Sequence, residues 1–311
     1  MAEIVLIHGI AQEQEGPASL EARWLPAIAD GIFAAGHPEL SDRIWPDRSP
    51  RDINVGMAAY GDLFLDPGAQ GSDEDLDDLD PSALALAQAL ATEWLNRAAD
   101  RGEPADRDTA VRELGYLDPG HEEMGMKEEA ARAVLHAVTR LSWFAIGGMA
   151  LAERFVNKSL RQVTRYLTDP GLHTEIQNRV LAQIGPETKI IIGHSLGSVI
   201  AYEIAATHLH TPLPLLLTLG SPLGLRSVIY DRLNPQPPVY PNQVRRWVNI
   251  ADRNDLVAAE PNLTPLFSAS RPSDAVLESG WTVDNGAKPH EAEYYLRKKQ
   301  VGGPIAEALE V

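Results

Sequence analysis

The strongest constraint on the fold lies between Lys189 and Tyr202. There Ile190, Ile191 and Ile192 run into Gly193-His194-Ser195-Leu196-Gly197, and a helix-forming segment follows at once. β-branched side chains fit the pleated surface of a strand, and an apolar run without alternation suits a strand covered on both faces. From Leu196 to about His208, the residues Val199, Ala201, Tyr202, Ile204 and Ala205 recur near helical spacing. Strand, tight turn and helix therefore meet at Ser195.

A Gly-x-Ser-x-Gly pattern alone is a weak signal. With a buried strand before it and a helix after it, Ser195 becomes a candidate nucleophile: it would sit on a strained turn with its hydroxyl projecting and a helix N-terminus beneath it. The segment resembles the nucleophile elbow of α/β-hydrolase-fold esterases and lipases. That resemblance covers residues 1–65 and 169–311, whereas 66–168 has no counterpart in it. It implies one α/β-hydrolase domain over 1–311, with a mainly parallel sheet, helices on both faces and a helical insertion at 66–168 that is a possible lid or cap.

The rest of the chain is compatible with that architecture. At 311 residues it can bury a large core, and 44% hydrophobic with 23% charged residues describes a globular protein. A formal charge of −17 disfavours nucleic acid and anionic membrane surfaces as partners, because phosphates would be repelled. The absence of cysteine excludes disulfides and thiolate metal sites. Met1-Ala2-Glu3 does not resemble a signal peptide, and no run reaches the roughly 18 apolar residues of a transmembrane helix, so a cytoplasmic location is expected.

Continuous apolar patterns predict strands at Glu3–Ile7, Leu215–Leu219 and Val244–Ile250, with further strands over Asp52–Tyr60 and Trp281–Val283. Ser19–Ala35 reads as a helix interrupted near Pro26 and closed by Gly36. Asp80 is placed to cap a helix starting at Pro81, with Leu84, Ala87, Leu90, Ala91, Trp94, Leu95 and Ala98 on one face. Residues 101–123 look loop-like, 124–167 helical with a break near Gly147-Gly148, and a further helix runs from Asp169 to about Ile184. The acidic run Gly71–Asp80 lacks the glycine and terminal glutamate of a calcium loop and reads as a solvated loop. Two stretches are candidate lids: the apolar Leu141–Ala152, otherwise a buried helix, and the loop 222–243, whose Pro235–Pro238 is a stiff surface segment.

A serine hydroxyl needs a base, and the base an orienting acid. Two acids, Asp252 and Asp255, leave the strand that ends near Ile250, where open α/β sheets place functional groups. In the resembling hydrolases the acid is commonly the aspartate just before an apolar pair in such a loop, here Asp255 before Leu256-Val257. Asp252 is then a turn or cap residue. Their order of serine, aspartate and histidine selects His290, beyond the last strand, although Glu291 stands where those enzymes usually carry a small residue. The resemblance also implies an oxyanion hole made by the backbone N–H groups of Ile10, after the strand ending in His8-Gly9, and of Leu196. His8 and His194 are better explained by packing or loop support, and no histidine spacing supports a metal site.

Together these readings imply a serine hydrolase acting on a small-molecule or lipid acyl ester through Ser195, Asp255 and His290, with no cofactor and no metal. The alternatives are an amidase, thioesterase or acyltransferase using the same residues, or a binding protein that keeps the fold without catalysis.

Overall fold

The computed structural model describes residues 1–45, 52–65, 79–116, 127–144, 149–258 and 260–310. In chain order, the elements begin with β1 (Ile4–Ile7), α1 (Pro17–Ala34), α2 (Pro38–Ile44), β2 (Val55–Ala58), α3 (Pro81–Arg101), α4 (Pro104–Tyr116), α5 (Lys127–Thr139), α6 (Met149–Thr168) and α7 (Pro170–Leu181). They continue with β3 (Ile190–His194), α8 (Leu196–Thr207), β4 (Leu213–Leu219), β5 (Val244–Asp252), α9 (Thr264–Phe267), β6 (Val276–Val283), α10 (Ala292–Leu296) and α11 (Lys299–Glu310). Two compact units result, one of residues 1–63 with 174–311 and the other of Phe64–His173.

The first unit is an α/β layer structure. Its six strands form one sheet in the order β2-β1-β3-β4-β5-β6, and every neighbouring pair is parallel. Alternate residues point to opposite faces. Ile4, Leu6, Val55, Met57, Ile190, Ile192, Leu215 and Leu217 share one buried cluster with Trp24, Ile28 and Ile32 of α1 and Val301 and Ile305 of α11. The other face, carrying the fully buried Ile7 and Ile191, packs under α8. Burial on both faces explains why these strands read as unbroken apolar runs: each fully buried Ile or Leu contributes roughly 1.5–3 kcal/mol, and no solvent-facing positions need polar residues. The chain leaves β1 towards β2 on one side and later inserts β3 on the other, so the strand order reverses between β1 and β3. Open α/β sheets bind ligands in the crevice outside the strand C-termini at such a switch point.

The second unit is helical. Helix α3 packs against α4, α5 and α6, and buries Ala83, Leu86, Ala87, Leu90, Ala91, Trp94, Leu95 and Ala98. Asp80 caps it, accepting the N–H groups of Ser82 and Ala83 at 2.9 and 3.1 Å. The acidic run over 71–78 and the Gly147-Gly148 break lie outside the described residues, as does part of the apolar stretch 141–152.

The structure departs from the sequence pattern at several places. Helix α1 runs through Pro26 without a break, because Trp24, Leu25, Ile28 and Ile32 all gain burial from a continuous helix. Residues 104–116 are helix rather than loop: α4 has little apolar surface, and its buried positions include Asp106 and Glu113. Asp106 accepts the backbone N–H groups of Ser142 and Trp143 at 2.5 and 3.1 Å, and Glu113 takes both oxygens to Arg140 Nη1 at 2.9 Å. Leu84 is only half-buried, and Ala83 and Leu86 take its place on the core face of α3. The final strand begins at Val276, five residues before Trp281.

Candidate active site

Ser195 lies between the last residue of β3 and the first of α8, with φ 54° and ψ −125°. Only Ala11 shares a positive φ among the described non-glycine residues, and it follows Ile10 in the loop after β1. Strain of this kind persists only where the surroundings enforce it, and here both examples flank the switch point. The flanking glycines are required by close approach. A Cβ on Gly197 would stand 2.2 Å from the Ile7 carbonyl oxygen, and one on Gly193 would stand 2.4 Å from that of Gly197. The same packing sets Gly9 against Ser195, 2.8 Å separating a Cβ built on the glycine from the serine's own.

His290 and Asp255 converge on this serine. His290 Nε2 is 3.0 Å from Ser195 Oγ, and His290 Nδ1 is 2.8 Å from Asp255 Oδ2. A carboxylate can only accept, so Nδ1 carries a proton, and in the neutral form of the ring Nε2 would present its lone pair to the hydroxyl. Asp255 is fully buried, and its other oxygen accepts the N–H groups of Val257 and Ala258 at 2.9 and 3.3 Å. Burial works to raise the Asp255 carboxyl, but the charge of His290 and the hydrogen bonds from His290 and Tyr295 outweigh it and hold the group below its ordinary value. Gly220, with φ 53°, makes room for the pair: a Cβ there would lie 2.8 Å from Asp255 Oδ2 and 3.2 Å from His290 Nδ1.

Asp252 does not reach the imidazole. Its Oδ1 accepts the N–H of Asn254 at 2.7 Å and its Oδ2 accepts that of Asn285, so it shapes its own turn and ties down the loop that carries His290. Burial raises its carboxyl above the ordinary value, opposite to the net shift of Asp255. Glu291 is an exposed N-cap residue of α10, 3.8 Å from Lys288.

His8 and His194 are structural supports. His8 donates from Nδ1 to the Gly9 carbonyl at 2.7 Å, accepts the Tyr60 N–H at Nε2 at 3.1 Å, and stacks on the Tyr60 ring at 4.1 Å. Desolvation lowers its pKa to about 4. His194 donates from Nε2 to the His290 carbonyl at 2.7 Å, and burial, aided by the neighbouring His290, lowers its pKa to about 3.

Of the two backbone groups assigned to an oxyanion hole, Leu196 occupies the first position of α8, where no intrahelical carbonyl is available to its N–H. Ile10 follows Gly9 in the loop packed against the serine. Tyr295, Ser198 and Ser221 carry no signal of a role in the sequence. Tyr295 donates its hydroxyl to Asp255 Oδ2 at 2.8 Å. Buried Ser198 lies 2.5 Å from the Ser195 carbonyl and 2.7 Å from Ser221 Oγ, bracing the turn from below. In the loop 222–243, Leu223, Ile229, Leu233 and Tyr240 are fully buried, and Tyr202 Oη donates to the Val239 carbonyl at 2.9 Å.

Among the described residues no group of three or more His, Asp or Glu side chains is placed to hold a metal ion, and no helix is long and apolar enough to cross a membrane. The arrangement can move a proton from a serine hydroxyl to an imidazole held by a buried carboxylate, next to the N-terminus of α8. Compared with models of known protein families, with curated proteins and with solved structures, the chain matches none.

Proposed function

We propose that the protein is a serine hydrolase of the α/β-hydrolase type that cleaves carboxylic esters through an acyl-enzyme on Ser195. The observation that carries this reading is the hydrogen-bonded line from Ser195 Oγ to His290 Nε2, 3.0 Å, and from His290 Nδ1 to Asp255 Oδ2, 2.8 Å, at the switch point of the sheet. Ser195 Oγ attacks the acyl carbonyl as His290 Nε2 takes its proton. Asp255 stabilises the imidazolium, and the N–H groups of Leu196 and Ile10 receive the oxyanion. Collapse breaks the bond to the alkoxide, which leaves with the proton from His290. Water, deprotonated by the same nitrogen, then releases the carboxylic acid and restores the serine.

The test is hydrolysis of p-nitrophenyl esters of graded acyl length, with a matched anilide and thioester. The expected result is ester turnover that Ser195→Ala lowers by several orders of magnitude. Preferential cleavage of the anilide or the thioester would move the substrate class, and equal rates for wild type and Ser195→Ala would remove the serine from the chemistry.

A further inference from the structure

Asp255 Oδ2 accepts two hydrogen bonds of 2.8 Å, one from His290 Nδ1 and one from the hydroxyl of Tyr295. The same hydroxyl oxygen accepts the backbone N–H of Asp252 at 2.8 Å. Tyr295 is fully buried, and its ring stands 6.1 Å from that of His194. Burial and the adjacent Asp255 charge push its own ionisation well above the ordinary tyrosine value, so it remains a donor at any pH at which the protein works.

From this geometry we infer that Tyr295 is a positioning residue for the acid of the site, fixing the Asp255 carboxylate against β5 and tempering its pull on His290. The inference rests on the proposed hydrolase reading. The hydroxyl has one proton and gives it to Asp255; the Asp252 amide at the end of β5 points at the lone pair and fixes where the hydroxyl sits. Asp255 is thereby held at both oxygens, by Val257 and Ala258 on one and by Tyr295 and His290 on the other. Two donors on Oδ2 share its negative charge. Removing the phenol proton concentrates that charge on the remaining bond to Nδ1–H, which favours imidazolium over imidazole. The other groups facing this carboxylate are His194, whose Nε2 is engaged by the His290 carbonyl, and Asp252, whose oxygens are engaged by the amides of Asn254 and Asn285.

Tyr295→Phe keeps the ring and its packing and deletes only the hydroxyl. In the full-length protein, the acid limb of the kcat/KM profile for a p-nitrophenyl ester is expected to move to higher pH by about half to one unit, as loss of one hydrogen bond to a charged group implies. At optimal pH, kcat is expected to fall roughly fivefold to tenfold with KM unchanged, as an acid less firmly held would produce. The proton NMR resonance of His290 Nδ1–H, identified by its loss in His290→Ala, is expected to move downfield. Tyr240→Phe is the control: another buried tyrosine, bonded to the Val276 carbonyl at 3.1 Å away from the site, whose loss affects stability but none of these readouts. An unmoved acid limb together with an unmoved Nδ1–H resonance would overturn the inference. The resonance is read without substrate, so a shifted signal in a protein that turns over no ester would leave the Tyr295 contact standing and refute only the hydrolase reading.

Discussion

The carbonyl of His290 accepts a 2.7 Å hydrogen bond from Nε2 of His194, the residue immediately before Ser195. One strand end thus carries both the serine and the side chain that anchors the loop bringing the imidazole to it. The ring of His194 is buried, meets Trp24 edge-on at 6.3 Å and lies 4.7 Å from the His290 ring. Replacing it with Phe fills the space but removes this hydrogen bond to the partly buried His290. Loss of one hydrogen bond costs about 1 kcal/mol, so denaturant unfolding of His194→Phe should show a loss of about that size. The accompanying fall in kcat, with KM held, should reflect a loosened His290; unchanged turnover would mean that the loop is fixed by its other contacts.

The two acids should separate cleanly. Asp255→Asn replaces a carboxylate by an amide that holds the imidazole in the wrong tautomer, and kcat is expected to fall on the order of ten-thousand-fold. Asp252→Asn still offers one oxygen to Asn254 or Asn285, and its effect should be a loss of about 1 kcal/mol of stability with turnover within tenfold. The reverse ranking in steady-state kinetics would reassign the acid.

Gly220→Ala probes the space around the carboxylate. Its φ of 53° is disfavoured for alanine, and the added Cβ would stand 2.8 Å from Asp255 Oδ2. The backbone term costs about 1–2 kcal/mol, whereas displacing the Asp255–His290 pair should remove most of the activity. Comparing kcat/KM with the unfolding free energy separates the two; loss of stability with full activity would contradict this placement.

His8 and His194 set the acid side of the stability curve. Their folded pKa values, lowered to about 4 and about 3, lie below the ordinary histidine value of 6.5. The unfolded chain therefore binds more protons in that window, so stability is fully present above about pH 6.5 and is lost as pH falls toward the folded values. Between pH 7 and 5 each histidine should withdraw about 2 kcal/mol. Denaturant titrations at pH 7 and 5 should show this loss for the wild type and about half of it for His8→Asn; identical pH dependence in both would show that His8 is not held neutral.

The sequence carried the site unevenly. Ser195 and its strand were legible because a strand buried on both faces must be an apolar run, and because the tight approach of α8 to β1 tolerates only glycine at position 197. Asp255 and His290 were legible only through chain order, since the spacing of 35 residues between them says nothing about distance. Tyr295 could not be found that way: its partner lies 40 residues earlier, and a tyrosine in a short amphipathic helix reads as core. Helix α4 has no apolar period to show, because its two buried acids are satisfied by backbone amides and an arginine, a tertiary pairing. Most of β6 is silent for a related reason: as an edge strand with exposed Val276 and Trp281, it has no core pattern to display.

The central claim is that the hydroxyl of Ser195 is a nucleophile made so by His290. Intact-mass spectrometry after treatment with a fluorophosphonate reads this directly. Wild type is expected to gain a single adduct, mapped to Ser195, with no adduct on Ser195→Ala and labelling of His290→Ala slowed by several orders of magnitude. Labelling of Ser195→Ala at the wild-type rate would contradict it.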